Sequence, residues 1–160
     1  MRTVTQVLLS FSLIAILSGC GFQLRGDYQL PESLESIRLQ SNVSKELASQ
    51  MEQRLVHSGI NVSKNSSYQL ALLSDKLERR TLSLFESGQV AEYELLYQVS
   101  YQLLKDNQVI VERTAEVARD YQDDPNFALA KTREREMLVN EMRAEASRII
   151  LQQIVSELSQ

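Results

Sequence analysis

Between Val90 and Leu104 the side chains alternate with a period of two, broken on the polar face by Leu96. Ala91, Tyr93, Leu95, Tyr97, Val99, Tyr101 and Leu103 fall on one face, and Glu92, Glu94, Gln98, Ser100 and Gln102 on the other. Successive side chains of a strand point to opposite sides, so this segment reads as an antiparallel strand with one face buried and one wet. Such a strand needs neighbours. Glu86-Ser87-Gly88-Gln89 before it and Lys105-Asp106-Asn107-Gln108 after it have turn chemistry at hairpin length. Tyr68 to Phe85 and Val109 to Tyr121 then become the outer strands of a meander. In the second, Val109, Val111, Ala115, Val117 and Tyr121 keep odd parity. In the first, the apolar parity slips twice, from Leu70 and Leu72 to Leu73 and Leu77 and back to Leu82 and Leu84. A slip of that kind predicts a β-bulge or strong twist.

A one-faced sheet must be covered, and two segments have helical periodicity. Ser44 to Ser58 places Leu47, Met51 and Leu55 four residues apart, with Ser44 as N-cap and Gly59 at the left-handed position that ends a helix. From Asp124-Pro125, an N-cap followed by proline at the first helical position, a long helix runs to about Leu158. Leu138, Met142, Ala146, Ile150, Ile154 and Leu158 form its stripe. Leu34 to Leu39 is a short strand candidate, and Ile60-Asn61-Val62 begins another extended piece. The expected fold is α+β. Two helices pack on one face of a sheet of about four mostly antiparallel strands, in the order strand, helix, three-stranded meander, long helix.

The N-terminus carries a different signal. Arg2 precedes an apolar run from Val7 to Leu17, followed by Leu17-Ser18-Gly19-Cys20. The run is about 11 residues, too short for the ~20 of a membrane-spanning helix. The charged, apolar and small-residue order is that of a cleaved signal peptide. With the only cysteine directly after the cleavage position, it resembles the lipobox of bacterial lipoproteins. That resemblance implies lipidation of Cys20. An ordinary secretory signal beside an incidental cysteine is the alternative. The expected organisation is a removed signal over residues 1–19, a lipidated tether over 20–31, and one α+β domain over 32–160.

Without Arg2 and the rest of the signal, 16 basic and 21 acidic side chains remain, a net charge of −5. That balance argues against nucleic acid as partner and against a polybasic membrane surface. With one histidine and one cysteine, a Cys/His metal site cannot be assembled. No glycine-rich phosphate loop occurs, so no cofactor is expected. His57 stands near a helix C-terminus, where the helix dipole alone favours it. Asp123 and Asp124 read as helix capping rather than as a catalytic acid–base pair. An enzyme is therefore not expected.

Four stretches together resemble one family. They are Gly21-Phe22-Gln23-Leu24-Arg25, Ser87-Gly88-Gln89-Val90-Ala91-Glu92-Tyr93, Asp124-Pro125-Asn126-Phe127-Ala128-Leu129-Ala130-Lys131 and Met137-Leu138-Val139-Asn140-Glu141-Met142. In that order and spacing they are similar to the LPS-assembly lipoproteins of the LptE family. The resemblance implies a lipid-anchored outer-membrane protein with its domain in the periplasm or a barrel lumen. There it would plug an LptD-like β-barrel, assist the barrel's folding and bind lipopolysaccharide. Gly21 in place of the aspartate that typically retains enterobacterial lipoproteins at the inner membrane fits this sorting. Phosphates and acidic sugars call for Lys and Arg. Lys131 matches a family lysine and is the first candidate; Arg79, Arg80 and Arg119 are the others. On composition alone Lys131, like Arg133 and Arg135, fits a solvated helix face better than a ligand contact. Glu86 departs from the basic residue expected in the adjacent hairpin. Leu82, Leu84 and Phe85 read either as an exposed contact for the barrel or as the end of the core. A purely structural lipoprotein without ligand is the alternative function.

Overall fold

The computed structural model describes residues 30–31 and 34–159. The lipobox, Cys20 and the extended reading of Phe22, Leu24 and Tyr28 lie outside the described residues. Five strands stand side by side in the order β2-β1-β3-β4-β5, with β1 Ser36–Ser41, β2 Asn61–Val62, β3 Tyr68–Leu84, β4 Val90–Lys105 and β5 Gln108–Gln122. Helices α1 (Lys45–His57) and α2 (Ala128–Leu158) complete the fold. The meander β3-β4-β5 is antiparallel as expected. The sheet has five strands rather than about four, and β1 runs parallel to both neighbours, β2 and β3. The α1 crossover makes this possible, because parallel neighbours need a connection long enough to return the chain.

The core lies between the sheet and the helices. Leu95, Tyr97, Val99, Tyr101 and Leu103 of β4 are each at most 1% exposed. They meet Leu47, Met51 and Leu55 of α1 and Met142, Ala146, Ile150 and Ile154 of α2. From Tyr97 to Leu103 the alternation in the sequence is thus the burial pattern of β4, while Leu96, on the other face, is also buried. The two buried phenols have partners: Tyr97 donates to Asp75 Oδ2 at 2.7 Å and Tyr101 to Gln153 Oε1 at 2.6 Å. Burial pushes the Tyr101 hydroxyl up to about 12.

The parity slips in β3 are register shifts, one between Leu72 and Ser74 and others between Thr81 and Leu84. After the first, Asp75, Leu77 and Arg79 share the helix-side face with Val99, Tyr97 and Leu95. A further shift at Leu103/Leu104 corrects the reading of β5. It leaves Ile110 as the extra residue and turns Val109, half exposed, away from the core face.

The ends of the helices follow their residues. The amides of Gly59 and Ile60 donate to the carbonyls of Val56 and Leu55, and Gly59 has φ +85°, which together make a Schellman ending. Asp124 accepts from the Asn126 amide at 2.9 Å, and the first turn it caps, Pro125–Phe127, is a 3₁₀ turn leading into α2. Ser44 is the N-cap residue of α1, but its hydroxyl does not cap. It donates instead to Asp75 Oδ2 at 2.8 Å, while the Ser44 amide donates to Oδ1 at 3.0 Å.

A candidate ligand-binding end

The two ends of the sheet differ. At one end Ser36 pairs with Asn61, Tyr68 with Lys105, and the Asp106 amide donates to Ser67. Leu30 lies there too, beside Gly59. At the other end are the β3–β4 loop, the last residues of β5 and the start of α2. Sixteen residues of β4 at ~3.3 Å each separate the two ends by about 50 Å.

At this distal end a cavity of about 400 Å³ is lined by Ser83, Phe85, Glu92, Asp123, Asp124 and Lys131, together with Ala91 and Gln122. Lys131 is positioned by its own backbone: Tyr121 of β5 donates its hydroxyl to the Lys131 carbonyl at 2.7 Å. The Lys131 ammonium stands 5.5 Å from the centre of the same ring and 2.9 Å from Glu134. The Glu134 hydrogen bond holds that ammonium above the ordinary lysine range.

Tyr121 pairs in register with Tyr93, and the Arg79 guanidinium stacks 4.2 Å above the Tyr93 ring. The distal helix-side face therefore carries a strip running Arg79, Tyr93, Tyr121, Lys131, with a cation over each ring. Arg119 lies in the next row of the same face, opposite Leu95, and donates to the Ala118 carbonyl at 2.8 Å. Arg80 points to the opposite sheet face, where it pairs with Glu94 at 3.5 Å and Glu78 at 3.8 Å. Of the four cations singled out by the sequence, three share a face and one does not.

Other features of this end bear on the sequence reading. Glu92, Asp123 and Asp124 make the cavity beside Lys131 predominantly acidic. Leu82, Leu84 and Phe85 are exposed, and so are Phe127 and Leu129 at the start of α2. The first three are thus a surface and not the end of the core. The aromatic half of the strip was missed. Its signal, the shared odd parity of Tyr93 and Tyr121, becomes a contact only once the register is known.

A profile of the LptE family, described as lipopolysaccharide-assembly, matches residues 34–154. The LPS-assembly lipoprotein LptE of Pectobacterium atrosepticum is 30% identical over 148 residues, covering 89% of this chain and 80% of that one. Among solved structures, the rare lipoprotein B of Shewanella oneidensis is 41% identical with a TM-score of 0.69, covering 76% of this chain and 94% of that one. The lipoprotein B of Nitrosomonas europaea is 29% identical with a TM-score of 0.70, covering 87% and 93%. Members of the LptE family are assembly components rather than enzymes. No helix among the described residues is long and apolar enough to cross a membrane. A family match over most of the folded domain, joined to close structural likeness at 41% identity, leads to one conclusion: this chain belongs to the LptE family of lipopolysaccharide-assembly lipoproteins.

Proposed function

We propose that this chain is anchored in the outer membrane through Cys20, after removal of residues 1–19, with residues 20–31 as tether and 32–160 as the working domain. The domain plugs an LptD-like β-barrel, assists its folding, and binds lipopolysaccharide at the distal end. The observation that carries the ligand reading is the strip of Arg79, Tyr93, Tyr121 and Lys131, with Arg119 beside it and Leu82, Leu84 and Phe85 exposed close by. Cations for phosphate next to exposed apolar side chains fit an amphiphile with an anionic headgroup. The polar outer face of the sheet fits a polar barrel lumen. There Gln98 donates to Glu116 and Gln102 to Glu112.

The tether fits this arrangement. Ten residues from Cys20 span at most ~35 Å, and they join the domain at Leu30, the end away from the strip. The distal end is therefore free to reach along the lumen while the lipid stays in the leaflet.

One observation favours the purely structural alternative. The carboxylates of Glu92, Asp123 and Asp124 repel phosphate, and Lys131 is already paired with Glu134. One of two experiments separates the readings. Stoichiometric co-purification with an outer-membrane barrel is expected under both. Saturable binding of lipopolysaccharide by the purified protein is expected only under the first, and its absence returns the chain to the structural role.

A further inference from the structure

The free edges of the sheet differ. A strand edge presents unpaired amides and carbonyls, and proteins usually blunt it with shortness, bulges, proline or lysine. β2, with two residues, is short. β3 beyond Leu72, where β1 stops pairing, is broken by register shifts between Leu72 and Ser74 and between Thr81 and Leu84, and it carries Lys76. β5 has none of these devices over most of its length. Its one shift lies beside the turn, at Leu103/Leu104, and from Val111 to Gln122 its pairing with β4 is regular, without proline or lysine. We propose that this edge accepts an extended segment of another polypeptide as an added strand, and that the segment carries lysine or arginine at every fourth residue.

The direction of the backbone groups follows from the ladder. In an antiparallel pair, residues that exchange both hydrogen bonds alternate with residues that exchange none. The Asp123 amide donates to the Ala91 carbonyl at 3.0 Å, which puts the odd positions of this register in the bonded class. Glu112, Thr114, Glu116, Ala118, Asp120 and Gln122 therefore turn their amides and carbonyls away from β4. All six are exposed. At the Ala118 carbonyl the Arg119 guanidinium takes the place that a neighbouring strand's amide would hold. At ~3.3 Å per residue the free ladder is about 35 Å long, enough to seat a segment of about eleven residues through its main chain.

The side chains of the same six residues select the partner. They face the outer side of the sheet, since Ala115, Val117 and Tyr121 are buried on the other. Glu112, Glu116 and Asp120 recur every four residues, with the small Thr114 and Ala118 between them. Gln102 and Gln98 donate to Glu112 and Glu116 at 2.7 and 2.8 Å, and a neutral donor leaves the negative charge in place. Residues directly opposite on neighbouring strands interact, and opposite charges there are favourable. A segment with cations at the same spacing completes the row. A second copy of this chain does not. Two-fold pairing of β5 with itself keeps the outer face on one side, so it brings glutamate, threonine, alanine, aspartate and glutamine to that row and no cation.

The complete chain in non-ionic detergent micelles is titrated with a synthetic peptide of about eleven residues that alternates valine with threonine and has lysine at every fourth position. Saturable binding is expected, with a glutamate-for-lysine peptide about tenfold weaker or worse. Hydrogen exchange reads the geometry. The amides of Thr114, Glu116, Ala118 and Asp120 are expected to exchange fast in the free chain and about tenfold more slowly, or slower still, with saturating peptide. Those of Ala115, Val117 and Arg119 are slow in both. Ala118→Pro removes an outward amide without touching the β4 ladder and is expected to weaken binding about tenfold or more. Glu116→Lys, which leaves the backbone intact, is expected to weaken it about threefold or more. Circular dichroism checks the fold of each variant. No saturable binding, binding that leaves the four amides fast, equal affinities for the lysine and glutamate peptides, or unchanged affinity in a well-folded variant overturns the proposal. Protection of the four amides in the free chain that grows with protein concentration assigns the edge to a second copy and overturns it too. Lys131→Glu leaves this titration unchanged, so the edge and the distal strip stand or fail separately.

Discussion

Tyr97 donates its hydroxyl proton to Asp75 across 2.7 Å, and this contact joins the centre of the sheet to the start of α1. The same carboxylate receives the amide and the hydroxyl of Ser44, at 3.0 and 2.8 Å. Asp75 reaches the core-side face through the bulge at Leu72–Ser74, so an irregularity in β3 supplies the cap that α1 lacks in its own sequence. Burial raises the Tyr97 pKa well above the ordinary phenol value, with Asp75 adding to it. The phenol therefore stays a donor at every physiological pH.

Removal of the carboxylate leaves a phenol and a helix-start amide unpaired. Asp75→Ala is expected to cost about 1–3 kcal/mol, read as a lower denaturant midpoint at unchanged slope. Acid tests the same contact. Burial pushes Asp75 up, but the hydrogen bonds from Tyr97 and Ser44 and the charge of Arg143 outweigh it, so its folded pKa lies below the ordinary value. A depressed carboxylate contributes stability that is fully present above its unfolded pKa, near ~3.9, and lost as pH falls through the lower folded value. Asp75→Asn should flatten that acid loss below about pH 4. A variant and parent with identical midpoints at every pH from neutral to 2 would show that the carboxylate contributes nothing.

The register of β4 predicts a large difference between neighbours. Val99 is fully buried at the centre of the core, whereas Gln98 lies on the outer face and donates to Glu116. Val99→Asp places a carboxylate among apolar side chains and is expected to remove most of a typical ~5–15 kcal/mol of folding stability. Gln98→Asp loses one exposed hydrogen bond and faces Glu116 across the strands, a cost of about 1 kcal/mol or less. Thermal unfolding of the two variants compares them directly, and equal losses would contradict the register.

Gly59 isolates a backbone effect. With φ +85° it occupies the left-handed region, and a methyl group there would meet only Leu30 at an ordinary 3.8 Å. Gly59→Ala is therefore expected to cost about 1 kcal/mol through strain alone, and Gly59→Asn less, since asparagine tolerates this region. A cost well above 2 kcal/mol in chemical denaturation would mean that side-chain crowding, not backbone conformation, requires glycine.

How far the sequence reveals this molecule depends on which residues carry the information. The buried face of β4, both helix stripes and the two turns follow from periodicity and turn chemistry. Direction does not, because two residues of β2 and six of β1 have no period long enough to show it. The helix between them is the available signal, since neighbours joined by such a crossover run parallel. The bulge in β5 is also encoded. A two-residue turn at Asp106-Asn107 pairs odd positions of β4 with even ones of β5, yet both strands place their apolar residues on odd positions. One extra residue reconciles them, and Ile110 is that residue. Without it Tyr93 would face Asp120 instead of Tyr121, and the strip would not exist. Asp75 was not legible, because a lone polar residue on a core-facing parity gives no hint of partners 22 and 31 residues away.

Arg79 and Lys131 provide the last prediction, on the proposed lipopolysaccharide site. Each ammonium or guanidinium stands over a ring, so charge and stacking are separable by substitution. Lys131→Glu replaces attraction by repulsion, and a charge-assisted contact is worth roughly 1.5–3 kcal/mol, so affinity for lipopolysaccharide should fall about tenfold or more. Arg79→Glu should act in the same direction. Arg80→Glu, on the opposite sheet face, should leave affinity within about twofold, because exposed ion pairs contribute little and this one faces away from the strip. Folding stability and barrel association are expected to survive all three. Titration of each purified variant with lipopolysaccharide, beside circular dichroism and co-purification, distinguishes a localised site from general electrostatic attraction. Equal losses in Lys131→Glu, Arg79→Glu and Arg80→Glu would point to net charge and remove the strip as the binding surface.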